Sequence, residues 1–331
     1  MNSDFAIIDS NLERTSEGLR MLDEIARYIT AQADVFEEIK AIRHDVQDIS
    51  AWFGPARLIG ARARAKEHEV KVTESEANRS TAWGMIRAGV GRIAESLRIL
   101  EEFSKIYAVQ ATELVKRSRY AIYVLEKELL QATPHYYLRR YFEKGVVYPL
   151  SESVGEILWL VDHGAQMIQF RDKKSSRDEV FQKAKHLSTV ITEKNKTSKD
   201  QTLLIINDYP EIAAELPVAG VHIGQEDGKV APVRQLLGSN KIVGRSSHSI
   251  EQIREAVADG ADYVSIGPVY ATPTKPDRQA VGLALVRHVA DEIMIPWLAI
   301  GGIDETVVHD VYSAGAKNVA VVRSARSFFQ N

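Results

Sequence analysis

The spacing of hydrophobic positions changes partway along the chain. From about Asn11 to Leu130 they recur every three or four residues. Leu12, Leu19, Leu22, Ala26 and Ile29 form one stripe, with Arg14, Glu17, Arg20, Asp23, Glu24 and Arg27 on the other side. That is the pattern of an amphipathic helix, and Glu113 to Leu130 repeats it. Strand signals are scarce here, which predicts an all-helical domain over residues 1–133. The stretch TPHYYLRRYFEKG has a proline and mixed charges, so residues 134–144 are expected to be a linker.

After Gly145 short apolar runs alternate with amphipathic segments. The runs are VVYPL, QMIQF, TLLIIND, GVHIGQ, KIVGRSS, DYVSIGPVY, IPWLAIGG and NVAVV, which makes eight candidate strands. Between them SVGEILWLVDHG, RDEVFQKAKHLSTVI, SIEQIREAVADG and DETVVHDVYSAG read as helices. Strand alternating with helix implies parallel pairing. Eight such units over residues 145–331 predict an α/β TIM barrel, (β/α)8, with a doubly wound sheet as the alternative that pattern alone leaves open. Only SARSFFQN follows the eighth strand, so the last helix is expected to be short or missing.

The helical half contains a repeat. RTSEGLRMLDEIARYI, from Arg14, matches RIAESLRILEEFSKIY, from Arg92. Arg14 pairs with Arg92, Glu17 with Glu95, Arg20 with Arg98 and Asp23 with Glu101, while Leu19 and Leu22 meet Leu97 and Leu100. The apolar matches need mean no more than two helices sharing one core. The charged matches have two readings: Arg–Glu pairs three residues apart that support each helix, or a polar cleft whose arginines hold an anion bidentately.

Composition narrows the function classes. The 331 residues are 45% apolar and 26% charged, as in a soluble globular protein. A net charge of -3 gives no general attraction to nucleic acid or to an anionic membrane. The absence of cysteine excludes disulfides, thiolate metal sites and a cysteine nucleophile. No apolar run approaches the roughly 20 residues needed to span a bilayer, and the first residues lack a basic segment followed by an apolar one. A cytoplasmic protein is the plain expectation.

In a parallel barrel the reactive groups sit at the C-terminal ends of the strands. The second strand ends in QFRDKK, so alternation puts Gln169, Arg171 and Lys173 on one side. Cations there repel unless an anion lies between them; a charged rim is the plainer reading. The third strand ends in Asn207 and Asp208, and the fourth runs through His222 to Gln225 and Asp227. An Asn-Asp pair is often only turn chemistry. Two facing carboxylates about 4 Å apart would repel by roughly 4 kcal/mol at an effective dielectric of 20, which a bridging cation relieves. With oxygen ligands the expected ion is Mg2+, carried with a phosphate. His222 reads equally as a buried hydrogen-bonded histidine or a substrate contact. The fifth strand brings Ser246, the sixth Thr272, Thr274 and Lys275, the seventh Gly301 and Gly302, and the eighth Val322 and Arg323. Glycines there let backbone N–H groups approach an anion, and the TPTK loop adds hydroxyls, stiffness and charge. Two anion sites with little proton transfer fit displacement of a diphosphate.

Taken in order, QFRDK, IIND, GVHIGQED, GRSSHS, IGPVYATPTKPD and AIGGI resemble the thiamine phosphate synthases, over about Val146 to Ala325. The resemblance implies that 4-amino-2-methyl-5-hydroxymethylpyrimidine diphosphate is joined to thiazole phosphate through a pyrimidine cation. It implies Asp208 and Asp227 on Mg2+, and Arg171, Lys173, Asn207, Ser246 and Lys275 on the diphosphate. Gln169 would face the pyrimidine. Thr272, Thr274, Gly302 and the Val322–Arg323 turn would take the thiazole phosphate. Two positions depart from the family's pattern. Arg245 stands where a small apolar residue is usual, so its guanidinium either adds to the diphosphate site or points away. Arg323 stands where some members carry serine.

NLERTSEGLRMLDEIARYI, IRHDV and GRIAESLRILEEFSK resemble the helical domain fused to, or encoded beside, these synthases and described as a hydroxymethylpyrimidine phosphate kinase. That implies ATP as a co-substrate. The chain has no G-x-x-x-x-G-K-[ST] loop. Phosphoryl transfer needs cations on phosphate and carboxylates for Mg2+; the candidates are Arg14, Arg20, Arg43, Arg92 and Arg98, with Glu17, Asp23, Glu95 and Glu101. The alternative is a non-catalytic oligomerisation or capping module, replacing the missing barrel helix or making a homo-oligomer. A silent barrel relative, such as the thiazole tautomerase of this fold, is the third reading.

Overall fold

The computed structural model describes residues 3–61, 80–275 and 278–330. The chain divides into two compact units, Met1–Thr133 and Pro134–Asn331. Among the described residues no helix is long and apolar enough to cross a membrane.

The first unit is helical: α1 (Ser3–Tyr28), α2 (Ala33–Phe53), α3 (Pro55–Ala61), α4 (Ala82–Tyr107) and α5 (Thr112–Gln131), with a 3-10 turn at Val109–Ala111. Phe5, Ile8, Leu12, Leu19, Leu22 and Ile25 make the buried stripe of α1. Thr81 caps α4, its hydroxyl accepting from the Gly84 N–H at 3.1 Å. The α1–α4 contact is close. A Cβ on Gly18 would stand 2.5 Å from Ile93 Cγ1, and one on Gly89 would stand 2.3 Å from Met21 Cε, so a side chain at either crossing would push its neighbour aside.

The repeat extends further than α1 and α4. Ile39, Ile42, Val46, Ile49 and Phe53 are buried on α2; Val115, Ser118, Ile122, Leu125 and Leu129 are buried on α5 in the same order and spacing. The unit is therefore a duplicated helical hairpin, α1–α2 and α4–α5. Charges follow the duplication: Arg43 on α2 pairs with Asp23 at 3.2 Å, and Arg119 on α5 pairs with Glu101 at 2.9 Å.

The second unit opens with a correction. Residues 134–144, expected as a linker, form helix α6 (Pro134–Lys144), with proline in its first turn where no N–H is needed. His135, Leu138, Tyr141 and Phe142 are buried at helical spacing. Leu138, Tyr141 and Phe142 join Tyr148, Met167, Leu203, Ile242, Tyr263 and Leu298 in one apolar cluster, which closes the N-terminal end of the barrel.

Eight parallel strands form that barrel in sequence order: β1 (Val147–Ser151), β2 (Met167–Phe170), β3 (Leu203–Asn207), β4 (Gly220–Ile223), β5 (Ile242–Ser247), β6 (Tyr263–Ile266), β7 (Trp297–Ile300) and β8 (Val319–Val321). Val147 opposite Val319 closes the circle. Alternation separates two cores. Met167, Leu203, Ile205, Ile242 and Tyr263 point inward; Ile168, Phe170, Leu204, Ile206, Val243 and Val264 pack outward against the helices. Helices α7 (Val154–Asp162), α8 (Arg177–Thr197), α9 (Pro210–Glu215), α10 (Val230–Leu237), α11 (Ile250–Ala258), α12 (Gly282–Glu292) and α13 (Val308–Ser313) connect the strands. After β8 there is only a 3-10 turn, Arg326–Phe329, as expected from the short C-terminus. Phe328 and Phe329 pack against the outer core, and the Arg326 guanidinium lies 5.0 Å from the Trp159 ring centroid.

Candidate active site

A cavity of about 430 Å3 opens at the C-terminal ends of the strands. Its floor is a polar chain across the barrel. Gln169 Nε2 donates to Tyr148 Oη at 3.0 Å, and Tyr148 Oη and Tyr263 Oη share a bond at 3.2 Å. His222 Nδ1 lies 2.9 Å from Tyr263 Oη, and its Nε2 lies 2.9 Å from Ser246 Oγ. Burial pushes the His222 imidazole down to about 3, aided by the cations of Lys275, Arg245 and Arg171 and opposed by Asp208. The floor is thus neutral at physiological pH. Gln169 Oε1 is buried without a hydrogen-bond partner among the described residues, which leaves one acceptor for a ligand.

Charge gathers at the rim of strands two to six. Asp208 has φ +65°, the left-handed conformation that few non-glycine residues adopt, and its N–H donates to His222 O. Lys173 Nζ reaches its carboxylate at 2.7 Å. Burial, and then the adjoining Asp208 carboxylate, raise the Asp227 carboxyl above the usual range, while the Gly224 N–H donating to it at 2.6 Å opposes. The Asp208 and Asp227 carboxylates thus adjoin each other, and the Lys173 amine pairs with the first. Lys275 is lowered by burial and by the crowding of Arg171, Lys173 and Arg278. The loop bearing Arg171 and Lys173 is braced by buried Asp172, which accepts from the Lys174 and Ser175 N–H groups at 3.0 Å and from Lys183 Nζ at 2.7 Å.

The opposite end of the cavity is a backbone cradle. Gly301 has φ +103° and Gly302 φ +68°. A Cβ would stand 2.4 Å from Pro268 Cβ at the first and 2.7 Å from Tyr270 Cβ at the second. Only glycine permits this bend, and both residues line the cavity. Thr272, Thr274, Val322, Arg323, Ser324 and Ser327 complete that end.

Of the expected residues, Gln169, Arg171, Asn207, His222, Ser246, Thr272, Thr274, Lys275, Gly302, Val322 and Arg323 line this one cavity. Lys173, Asp208 and Asp227 are not in that lining; β2 stops at Phe170, so strand alternation does not extend to Lys173. Arg245 points away from the cavity; its guanidinium donates to the carbonyls of Gly224 and Gly228. Tyr148, Tyr263, Ser265 and Ser327 were not anticipated. For the first three the signal was present: they occupy inward positions of β1 and β6 by the alternation that selects Gln169.

The helical candidates do not converge in the same way. Arg14, Glu17, Arg20 and Glu95 are exposed and form no ion pair among the described residues. Arg98 pairs with Glu101 at 3.1 Å and Glu102 at 2.9 Å. Arg92 Nη2 meets Met21 Sδ at 3.9 Å and forms no ion pair among the described residues. Asp23 and Glu101, expected as possible metal carboxylates, are the buried members of the two duplicated ion pairs. Among the described residues no group of three or more His, Asp or Glu is placed to hold a metal by itself.

A closed parallel barrel with a polar cavity at the C-terminal ends of its strands places the second unit in the TIM-barrel class. Residues 150–325 match the family model of thiamine monophosphate synthase, and residues 6–128 match that of the ThiD2 family. A thiamine-phosphate synthase of Nostoc punctiforme is 36% identical over 97% of this chain and 89% of its own; that of Synechocystis is 34% identical over 96% and 90%. Among solved structures, the thiamine phosphate pyrophosphorylase of Pyrococcus furiosus is 26% identical over 56% of this chain and 92% of its own, with a TM-score of 0.49. The chain belongs to the thiamine-phosphate synthase family, with a ThiD2 domain at its N-terminus, and acts in thiamine biosynthesis.

Proposed function

We propose that the barrel joins 4-amino-2-methyl-5-hydroxymethylpyrimidine diphosphate to thiazole phosphate, releasing diphosphate, and that Asp208 and Asp227 hold Mg2+ for it. The observation that carries this is the separation of charge along one cavity. Arg171 and Lys275 line one end, with the Lys173–Asp208–Asp227 cluster beside them and outside the lining, and the glycine cradle lines the other. Bound Mg2+ would supply Lewis-acid stabilisation of the departing diphosphate. Arg171, Lys173, Asn207, Ser246 and Lys275 bind the same leaving group, whose charge grows as the C–O bond breaks. Gln169 Oε1 accepts from the pyrimidine and orients it. Thr272, Thr274, the Gly302 N–H and the Val322–Arg323 turn hold the thiazole phosphate, so that the thiazole nitrogen meets the pyrimidine methylene carbon. The electron pair of the C–O bond leaves with diphosphate, and the nitrogen lone pair makes the new bond. No proton needs to move, and neutral His222 adds no positive charge beside the pyrimidine cation.

For the helical unit the proposal is phosphorylation of the pyrimidine monophosphate with ATP, supported by the ThiD2 match. Arg14, Glu17, Arg20, Arg43, Arg92, Glu95 and Arg98 are its candidate residues. A second reading, a non-catalytic capping or oligomerising module, is favoured by one observation: the duplicated pairs Asp23–Arg43 and Glu101–Arg119 account for part of the charge repeat without a substrate. One incubation separates the two. Pyrimidine monophosphate, thiazole phosphate and MgATP yield thiamine phosphate if both units are enzymes. Product only from pyrimidine diphosphate leaves the barrel a synthase and overturns the kinase proposal. No product from either pyrimidine overturns the barrel proposal.

A further inference from the structure

Strand β5 carries a guanidinium facing the wrong way to touch substrate. Ile242 packs into the inner core and Val243 into the outer one, so Arg245, two residues past Val243, faces outward. It is nonetheless only 9% exposed. A buried guanidinium is costly unless its donors are used. Among the described residues Arg245 forms no ion pair, although its charge is drawn toward Asp227, Glu255 and Asp259. Its donors go to backbone carbonyls instead. Nη1 donates to Gly224 O at 2.7 Å and to Gly228 O, and Nη2 reaches Gln225 O at 3.5 Å. One side chain thus ties both ends of the turn that follows β4. Gln225 adds a second tie, its Nε2 donating to Ser246 O at 2.5 Å.

Asp227 lies inside that turn. Its Oδ2 accepts from the Gly224 N–H, the same residue whose carbonyl Arg245 holds. Without Arg245 the carbonyls of Gly224 and Gly228 lose a charged donor, and the turn loses the link that fixes its chord. Lysine can replace part of this. Its amine has no planar fork and cannot reproduce donors aimed at two separated carbonyls.

We propose that Arg245 is a positioning residue that fixes the Gly224–Gly228 turn and so orients Asp227 toward Asp208 for a divalent cation. This rests on the reading of Asp208 and Asp227 as metal ligands and adds the device that aligns one of them.

The test uses the full chain and Mn2+ as the probe, with inorganic diphosphate present and binding followed by electron paramagnetic resonance. Arg245→Met should weaken Mn2+ binding about tenfold and raise the Mg2+ half-saturation of condensation in parallel, leaving the KM for thiazole phosphate within about twofold. Arg245→Lys should lie between Met and wild type. Wild-type Mn2+ affinity in Arg245→Met overturns the proposal, as does an equal rise in both constants. If the methionine variant does not fold, Arg245→Lys decides alone: weaker Mn2+ binding with an unchanged thiazole phosphate KM upholds the proposal, and unchanged Mn2+ binding overturns it. Asp227→Asn separates the two layers. If it too binds Mn2+ like wild type, the metal reading itself is wrong; if it loses Mn2+ while both Arg245 variants keep it, only the positioning role is wrong.

Discussion

The barrel mouth and the helical unit are both rich in arginine, lysine, aspartate and glutamate, but they treat charge in opposite ways. In the helical unit the buried carboxylates already have partners. Glu101 is flanked by Arg98 and Arg119, and Asp23 by Arg27 and Arg43. In the barrel, burial and then the crowding of Arg171, Lys173 and Arg278 lower Lys275, and burial and then the adjoining Asp208 raise Asp227. Charge paired within the fold stabilises the fold. Charge held against its own kind waits for a ligand, and that contrast marks a site more sharply than the number of charged residues does.

The sharpest way to break the comparison is at Asp208. Its left-handed backbone suits asparagine almost as well as aspartate, so Asp208→Asn removes charge with little added strain. Condensation should fall about a thousandfold, the scale expected when metal-assisted stabilisation of a leaving group is lost. Any pyrimidine phosphorylation should be untouched. Steady-state rates with each substrate set check both halves of the statement. Full condensation activity would mean that the facing carboxylates are structural, like those of the helical unit.

Lys275→Met comes next. The lysine is half-buried among other cations, and relief of that repulsion should make the ligand-free barrel no less stable in urea. Loss of one donor to the developing diphosphate charge should lower kcat about a hundredfold. Stability and activity moving apart is the signature of a charge kept for a ligand.

In the helical unit the sign reverses. Glu101→Gln leaves Arg119, only 13% exposed, without its carboxylate and should cost about 2–3 kcal/mol in urea unfolding. The duplicated partner of Glu101 is Asp23, but Arg43 is 44% exposed and water can take over its charge. Asp23→Asn should therefore cost about 1 kcal/mol. Equal costs at the two positions would show that the duplication, rather than burial, sets their worth.

Those differences also explain what the sequence disclosed. The eight strands are legible because each is buried on both faces and reads as a continuous apolar run, which polar helical segments interrupt. Helix α6 was hidden because Arg139, Arg140, Glu143 and Lys144 give it the charge of a linker, although Leu138, Tyr141 and Phe142 keep helical spacing. Most of the cavity followed from one rule, that inward residues at strand ends do the work. The rule failed at Lys173, just beyond the strand, and no one-dimensional pattern carries the positive φ of Asp208; the outward course of Arg245, by contrast, follows from the alternation along β5. The helical arginines follow no such rule: a repeat preserves packing and chemistry alike, and only the partners distinguish them.

The smallest expected effect lies at the floor of the barrel. His222 is uncharged when folded, with its pKa down to about 3, against 6.5 when exposed. Below pH 6.5 the unfolded chain takes up a proton that the folded chain refuses, so this residue lowers stability as pH falls and costs nothing above pH 7. Between pH 6.5 and 5.5 the loss should be about 1 kcal/mol. His222→Asn cannot take up that proton and should remove this part of the acid sensitivity, provided Tyr263 and Ser246 keep a hydrogen-bonding partner. Urea unfolding of both proteins at the two pH values measures the difference. If the wild type and the variant lose stability equally, the imidazole is charged within the barrel, and the floor is no longer the neutral surface on which a pyrimidine cation forms.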